Sequence, residues 1–562
     1  IRDELRRKNL IDMDVDETAP KTAPIPDEVP AWALTGRSFN GTYNDLSDPA
    51  MGSVNRPFGR NMKPAVRSKH RFDDPNPIDV SSKLLRRDTF RRAKSLNLLA
   101  AAWIQFQVHD WVNHDRFEPG EKDISLPLPS GIKWRSFRNG PEEDQMRIAD
   151  NKVLRIRNGC PIFANKASSW WDASELYGHS CCGAQELREG ALLKLEDGYL
   201  PIDPEGFEVT GFNESWWLGL SLMHTLFARE HNAICKALRA AYEQWDDQRV
   251  YQTSRLIVSA LIAKIHTVEW TPAILANKAV REGVLSNWFG PTDRFTRAGL
   301  WLFDAHSLKS IRQTLPNHYG VPFSMTEEFV SVYRMHPLIP DDYDFFDHKS
   351  GRWLESRSLT DLMGNTTSST IRRLGLQNAL YSFGISNSGA IKLHNFPRTL
   401  QTFERRNGEI VDLSVVDILR DRMRRIPRYN DFRVALHKPR LQSFEELSDD
   451  ADTLERLRDV YTDIDDVDTM VGLFAEMPPD GFGFSDTAFR IFALMASRRL
   501  QSDRFFTVDF RPEIYSPLGL DWVDNNTMAS VILRHCPELS ATMPSGASAF
   551  APWRSVVAAD SS

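Results

Sequence analysis

Apolar residues recur at helical spacing over most of the chain after its first ninety residues. The first strong helix is expected from Asp88 to about His114, densest from Leu96 to Asp110. A second runs from about Ser215 to Leu238 through Leu218, Leu222, Leu226 and Ala233, and a third from about Arg255 to Leu275. A helix carrying Tyr333 and His336 is closed by Pro337 and Pro340. Later helices are expected near Ser414–Arg425 and at Asp486–Leu500, the last with Ser485 or Asp486 as its cap. The acidic segment 444–467 reads as solvated amphipathic helices. Residues 115–165 read as loop with short strands, 280–327 as irregular with short helices, and 345–370 as a polar loop. The fold class is mostly α with little β. Residues 1–90, rich in Pro, Asp, Arg and Gly, read as an extended arm packed on a single large body formed by 91–562.

Composition narrows the function classes. The 562 residues are 41% hydrophobic with a net charge of −7, which gives no reason to expect nucleic acid as a partner. The five cysteines, Cys160, Cys181, Cys182, Cys235 and Cys536, are odd in number and lack zinc spacing, so no disulfide framework is expected. No run of about 18 apolar residues suggests a spanning helix. The chain starts at Ile1 rather than Met, which is compatible with a removed leader, and the compartment is left open.

Four groups of residues carry candidate chemistry. Tyr333 and His336 are spaced to share a helix face, a phenol beside an imidazole able to hold a haem iron. Gln105 and His109 share a face of the first helix, where an amide and an imidazole can orient a peroxide and move its proton. Asp110 joins Ser168, Trp170, Asp172 and Ser174, which alternate along Ser168-Ser169-Trp170-Trp171-Asp172-Ala173-Ser174. Two carboxylates, two hydroxyls and a carbonyl form an oxygen-only set suited to calcium. Finally, His266 lies in an apolar helix and Arg499 at the end of the last strong one. If they meet, an imidazolium and a guanidinium would hold a carboxylate.

Several separated stretches resemble one superfamily. Tyr333-Arg334-Met335-His336-Pro337-Leu338-Ile339-Pro340 resembles the tyrosine–proximal histidine motif of cyclooxygenases and their relatives. Gln105-x-x-x-His109-Asp110 resembles the distal motif of the animal haem peroxidase superfamily. Met223 to Asn232 is similar to its core helix, and Ser168 to Ser174 to its calcium loop. Within it the fatty acid α-dioxygenases, best known from plants, are the nearest match. That match is carried by Trp103–Trp111, Ile262–Thr271, Arg498–Leu500 and Asp503–Phe506, and the resemblance spans roughly 35–555.

The resemblance implies a haem peroxidase / cyclooxygenase-like helical domain with haem b and Ca2+ as cofactors. Val108 stands where mammalian-type peroxidases carry one acidic haem attachment, and Trp216 and Trp217 near the other, so the haem is expected to be non-covalent. Asn213 replaces the peroxidase distal arginine, and Asp417 falls where the proximal histidine's asparagine partner is usual. His336 is then the proximal ligand and His109 the distal residue. His266, Arg499 and Thr271 hold the carboxylate of a long-chain fatty acid. With peroxide as activator, a Tyr333 radical takes hydrogen from C2. O2 adds there, and the 2-hydroperoxy acid can lose CO2 to give the aldehyde one carbon shorter. Three alternatives remain: a peroxidase oxidising small donors, a dioxygenase attacking a mid-chain carbon, and a haem-loaded sensor or adhesion protein. A monomer, with peripheral membrane association through its lipid substrate, is expected.

Overall fold

Asn97 decides where the first long helix begins. The computed structural model, which describes residues 2–14, 29–65, 72–290, 311–312, 314–543 and 548–556, places helix α1 over Leu98–Trp111. The helix does not reach back to Asp88, because Arg92–Asn97 is extended and pairs antiparallel with Asn387–Gly389. The Asn97 side chain accepts from the Ala100 N–H at 3.2 Å and donates to the carbonyls of Ala549 and Ala551 at 2.8 and 2.9 Å. One amide thus caps α1 and fixes the C-terminal tail against it.

Helix α2 (Leu218–Ala241) packs on α1 and on α3 (Asp247–Ile265). The third helix begins ahead of Arg255 because the Asp246 carboxylate accepts from the Arg249 N–H and caps it there. Nor does it run regularly to Leu275. His266–Trp270 form a π-turn, and Thr271–Ile274 resume as a short helix. A π-turn widens the helix locally and re-aims the side chains it carries.

Helix α4 (Glu327–Val332) stops before Tyr333, so Tyr333 and His336 are not one turn apart on a regular helix. Pro337 has no N–H, and its ring would meet the carbonyl of Tyr333 four residues earlier. The chain instead passes through Tyr333 (φ −89°, ψ 7°) and Met335 (φ −92°, ψ 32°) into a 3-10 turn at His336–Leu338.

Strands occur only as two-stranded pairs among the described residues, in keeping with a mostly α fold. They include β1 (Arg155–Arg157) with β2 (Cys160–Ile162), and β3 (Asp342–Phe346) with β4 (Trp353–Ser358). The second pair and helix α5 (Thr366–Leu374) occupy much of the expected polar loop. Tyr343 and Phe345 are buried while Asp342 and Asp344 face solvent, a period of two hidden by the charged residues around it.

The C-terminal third supplies α6 (Leu413–Met423), α7 (Asp486–Ser502), α8 (Pro512–Asn525) and α9 (Met528–His535). Ser485 caps α7 by accepting from the Ala488 N–H at 3.2 Å. Buried Glu230 on α2 accepts from Trp522 on α8 and from Arg534 and His535 on α9, tying the last two helices to the core. At the other end, Arg2–Lys8 forms a short helix whose Arg6 donates to Ser497 on α7 at 3.0 Å. Buried Arg60 pairs with Glu328 on α4 at 2.6 Å. No helix of the described residues is long and apolar enough to cross a membrane.

Candidate active site

Gln105 and His109, on one face of α1, look into the same cavity as Tyr333 and His336. Its walls are mainly apolar, from Ala101, Ile104 and Val108 on α1 to Leu359, Met363, Leu400, Phe403 and Leu413. Trp217 closes one side and donates its indole N–H to Gln105 Oε1 at 2.6 Å, which orients the amide. Burial holds His109 neutral, with its pKa pushed down to about 3. Asn213 donates to the Glu208 carbonyl at 2.9 Å instead of supplying a cation.

The residues fit a haem. An apolar slot faces an imidazole from each side, and among the described residues no acidic side chain lines it. His336 Nδ1 lies 3.1 Å from Asp417 Oδ2, which leaves Nε2 for iron. Burial opposes the charge of Asp417, but Arg334 and His336 beside it bring its pKa below the usual value. Arg334 is itself held by Asp417 at 3.3 Å and Asp421 at 2.6 Å.

Behind Tyr333 the structure gathers the other candidates around one residue the sequence reading left without a role, Trp111, the last residue of α1. Its ring meets Tyr333 at 5.3 Å and His266 at 5.5 Å, and the Arg499 guanidinium lies 4.1 Å from its centroid. Trp171 adds a second aromatic face to Arg499 at 4.5 Å and touches His266 at 5.2 Å. Arg499 is 1% exposed, yet none of its three guanidine nitrogens has a hydrogen-bond partner. The Tyr333 hydroxyl and His266 Nε2 are buried and likewise unpartnered. Three buried polar groups without partners around one indole are a costly arrangement unless a ligand completes it.

His266 is not the imidazolium the sequence suggested. Burial first, and then the nearby Arg499, push its pKa well below the ordinary value. Trp103 donates its indole N–H to His266 Nδ1 at 3.3 Å. An indole nitrogen only donates, so Nδ1 must accept and the ring proton sits on the free Nε2. The clamp is therefore one guanidinium and one neutral N–H donor. Thr271 is buried, and its hydroxyl donates to the His266 carbonyl at 2.8 Å, bracing the π-turn that carries the imidazole. Burial holds the Tyr333 phenol protonated, well above its usual pKa.

The five residues of the oxygen set are all buried. Asp110 Oδ1 accepts from the Ser174 N–H and hydroxyl at 2.7 and 2.8 Å, while Asp110 Oδ2 has no hydrogen-bond partner and lies 4.0 Å from Arg499. Ser168 Oγ and Asp172 Oδ1 accept from the backbone N–H groups of Trp170 and Ser174 at 3.2 Å each. Burial, with the Asp172 charge beside it, pushes the Asp110 pKa up. Glu175, which the sequence reading passed over, is buried next to them with both carboxyl oxygens unpartnered. Among the described residues Arg499 lies 4.0 Å from Asp110, and Arg37 and Arg255 act on Asp172, so these buried carboxylates are partly compensated and a hard cation would complete their neutralisation. Among the described residues, no three His, Cys, Asp or Glu side chains already stand as a metal cluster. Hydroxyl and carbonyl oxygens would have to complete the set.

Comparison with known proteins shows what the chain as a whole is similar to. The alpha-dioxygenase PIOX of Oryza sativa subsp. japonica is 36% identical over 543 residues, covering 92% of this chain and 86% of that protein. Alpha-dioxygenase 1 of Arabidopsis thaliana is 35% identical over 92% of this chain and 83% of its own length. The crystal structure of an Oryza sativa fatty acid alpha-dioxygenase variant with palmitic acid superposes with a TM-score of 0.88 at 33% identity, covering 98% of this chain and 92% of that one. Residues 36–547 match the animal haem peroxidase family, and it is to this family that the chain belongs.

Proposed function

We propose that this protein is a haem-dependent fatty acid α-dioxygenase. The observation that carries the reading is the set of unpartnered groups around Trp111. Arg499 and His266 Nε2–H are two donors suited to a carboxylate, and Tyr333 lies against the same indole and also lines the cavity of His109 and His336. A carboxylate held by this pair sets C2 at a fixed short reach, next to the phenol. His336 would hold a haem not linked covalently through acidic side chains, and that group would supply the peroxide-started one-electron oxidation of Tyr333. His109 and Gln105 receive the peroxide and manage its proton. Tyr333, oxidised to its radical, takes a hydrogen atom from C2. O2 adds to that carbon, and a hydrogen atom returned from the phenol completes the 2-hydroperoxy acid and restores the radical. We assign these roles within a body of residues 91–562, with 1–90 as an arm upon it and the chain acting as a monomer. The test is oxygen uptake by haem-reconstituted protein given palmitate and a trace of peroxide. Uptake that depends on palmitate supports the reading. Rapid turnover of a phenolic donor with no palmitate-dependent uptake would move the protein to the peroxidase alternative.

A neutral His266 has a consequence for pH. Palmitate affinity is expected to stay within about two-fold between roughly pH 6 and 8, since only Arg499 carries the charge. An imidazolium of ordinary pKa would lose its proton as pH rose through that window, and binding would weaken several-fold. Measuring KM or Kd for palmitate across the range separates the two.

We assign Asp110, Ser168, Trp170, Asp172 and Ser174 to a calcium ion, the Trp170 contribution being its carbonyl. Removing the ion leaves Asp110 and Asp172 facing one another beside His109. Chelation with EGTA is therefore expected to lower the melting temperature by a few degrees, about the effect of losing a ligand at a hundred times its Kd. Calcium should restore it, as read by calorimetry. Identical melting curves with calcium and with EGTA would remove the assignment.

A further inference from the structure

Hydrogen bonds do not fix the plane of the Arg499 guanidinium, since none of its nitrogens has a partner. Its ion pair with Asp110 Oδ2 is long, at 4.0 Å. Two indole faces hold it instead. The guanidinium carbon lies 4.1 Å from the centroid of Trp111 and 4.5 Å from that of Trp171. The two rings stand at 87° with their centroids 5.4 Å apart, so they form the walls of a corner around the cation. An indole face attracts a guanidinium without engaging its N–H groups. Those groups stay free for a ligand.

The corner is built into the chain on both sides. Trp111 follows Asp110 at the end of α1, and Trp171 precedes Asp172. Both carboxylates accept from the same Ser174 N–H, Asp110 at 2.7 Å and Asp172 at 3.2 Å. The two segments are thus joined one residue away from each ring, and this sets the angle between the walls. Trp171 is locked further, because its indole N–H donates to Gln107 Oε1 at 2.8 Å and both residues are buried.

We propose that Trp171 is a positioning residue of the carboxylate clamp. With Trp111 it holds Arg499 by the faces of the rings and keeps the guanidine N–H groups for the fatty-acid carboxylate. The proposal rests on the fatty-acid reading given above. Without the Trp171 wall the cation is free to turn toward Asp110 Oδ2, which is itself unpartnered, and to engage the protein's own carboxylate. Affinity for an acid then falls, while the grip on an alkyl chain does not change.

The test is equilibrium binding of radiolabelled palmitate and 1-hexadecanol to the full haem-loaded chain, without peroxide so that no turnover occurs. The alcohol has the same number of carbons and no charge, so the ratio of the two affinities reads the contribution of the guanidinium. Trp171→Leu is expected to lower that ratio about ten-fold, the loss of one desolvated cation–π contact, with the alcohol affinity unchanged. Trp171→Phe keeps an aromatic face and should recover most of the ratio. Gln107→Leu keeps both rings and removes only the acceptor that locks Trp171, and a fall of about three-fold is expected. In an Arg499→Met background, Trp171→Leu should change the ratio no further, because the two residues act as one unit. A merely structural role for Trp171 would weaken acid and alcohol together. Equal losses for acid and alcohol, or a ratio that survives both Trp171→Leu and Gln107→Leu, would overturn the proposal and leave the clamp standing. An unmodified protein with no preference for the acid would sink the clamp itself, and the role of Trp171 with it.

Discussion

Tyr333→Phe is expected to abolish palmitate-dependent oxygen uptake, a loss of at least about 10³-fold or roughly 4 kcal/mol of transition-state stabilisation. The variant keeps the ring that packs on Phe329, Trp111 and Phe492 and loses only the hydroxyl. That hydroxyl is buried with no partner, so its removal relieves a desolvation cost rather than breaking a bond. The melting temperature should therefore stay level or rise, and the haem absorption should stay unchanged because His336 is untouched. Loss of activity at full stability separates a radical role from packing. An oxygen electrode and a calorimeter suffice, and normal uptake by the Phe variant would refute the role given to Tyr333.

Arg499→Met is the second large effect. The guanidinium lies against Trp111 and Trp171 with no hydrogen bond, and burial has pushed its pKa down to about 10. Asp110 Oδ2 lies 4.0 Å away, so replacing the cation by an apolar chain of similar length removes a weak buried ion pair and is expected to cost some stability as well. It removes the only charge in the clamp. Loss of a charge-assisted bidentate contact is expected to weaken palmitate binding about 100-fold, near 3 kcal/mol. His266 Nε2–H remains as a single neutral donor, so the chain is free to slide and oxygen should appear at more than one carbon. Arg499→Lys should recover part of the affinity and less of the positional control, since an ammonium lacks the planar fork. Unchanged KM and a single product from Arg499→Met would place the carboxylate elsewhere.

What the sequence disclosed follows from how local each feature is. Gln105 and His109 were legible because one regular helix carries both, and α1 is regular there. Asp417 was placed by resemblance, and its carboxylate lies beside His336. The relation between Tyr333 and His336 was misjudged because Pro337 acts four residues back and ends α4 before the tyrosine. The charge state of His266 was misjudged because it depends on Trp103, far away in the chain, and on burial, neither of which spacing reveals. Trp111 carried no signal beyond its place at the end of a helix, although it touches every member of the clamp. The β3–β4 hairpin was missed because its buried Tyr343 and Phe345 alternate with aspartates in a stretch that otherwise reads as loop. Pro337 acts locally, whereas long-range packing set the state of His266 and the place of Trp111.

The central claim is that Arg499 and His266 hold a fatty-acid carboxylate so that Tyr333 meets C2. Mass spectrometry of the palmitate products from the haem-reconstituted protein tests it most directly. The account predicts 2-hydroperoxypalmitate, together with pentadecanal and CO2 from its breakdown. Oxygen found at a carbon further along the chain, with C2 untouched, would contradict it.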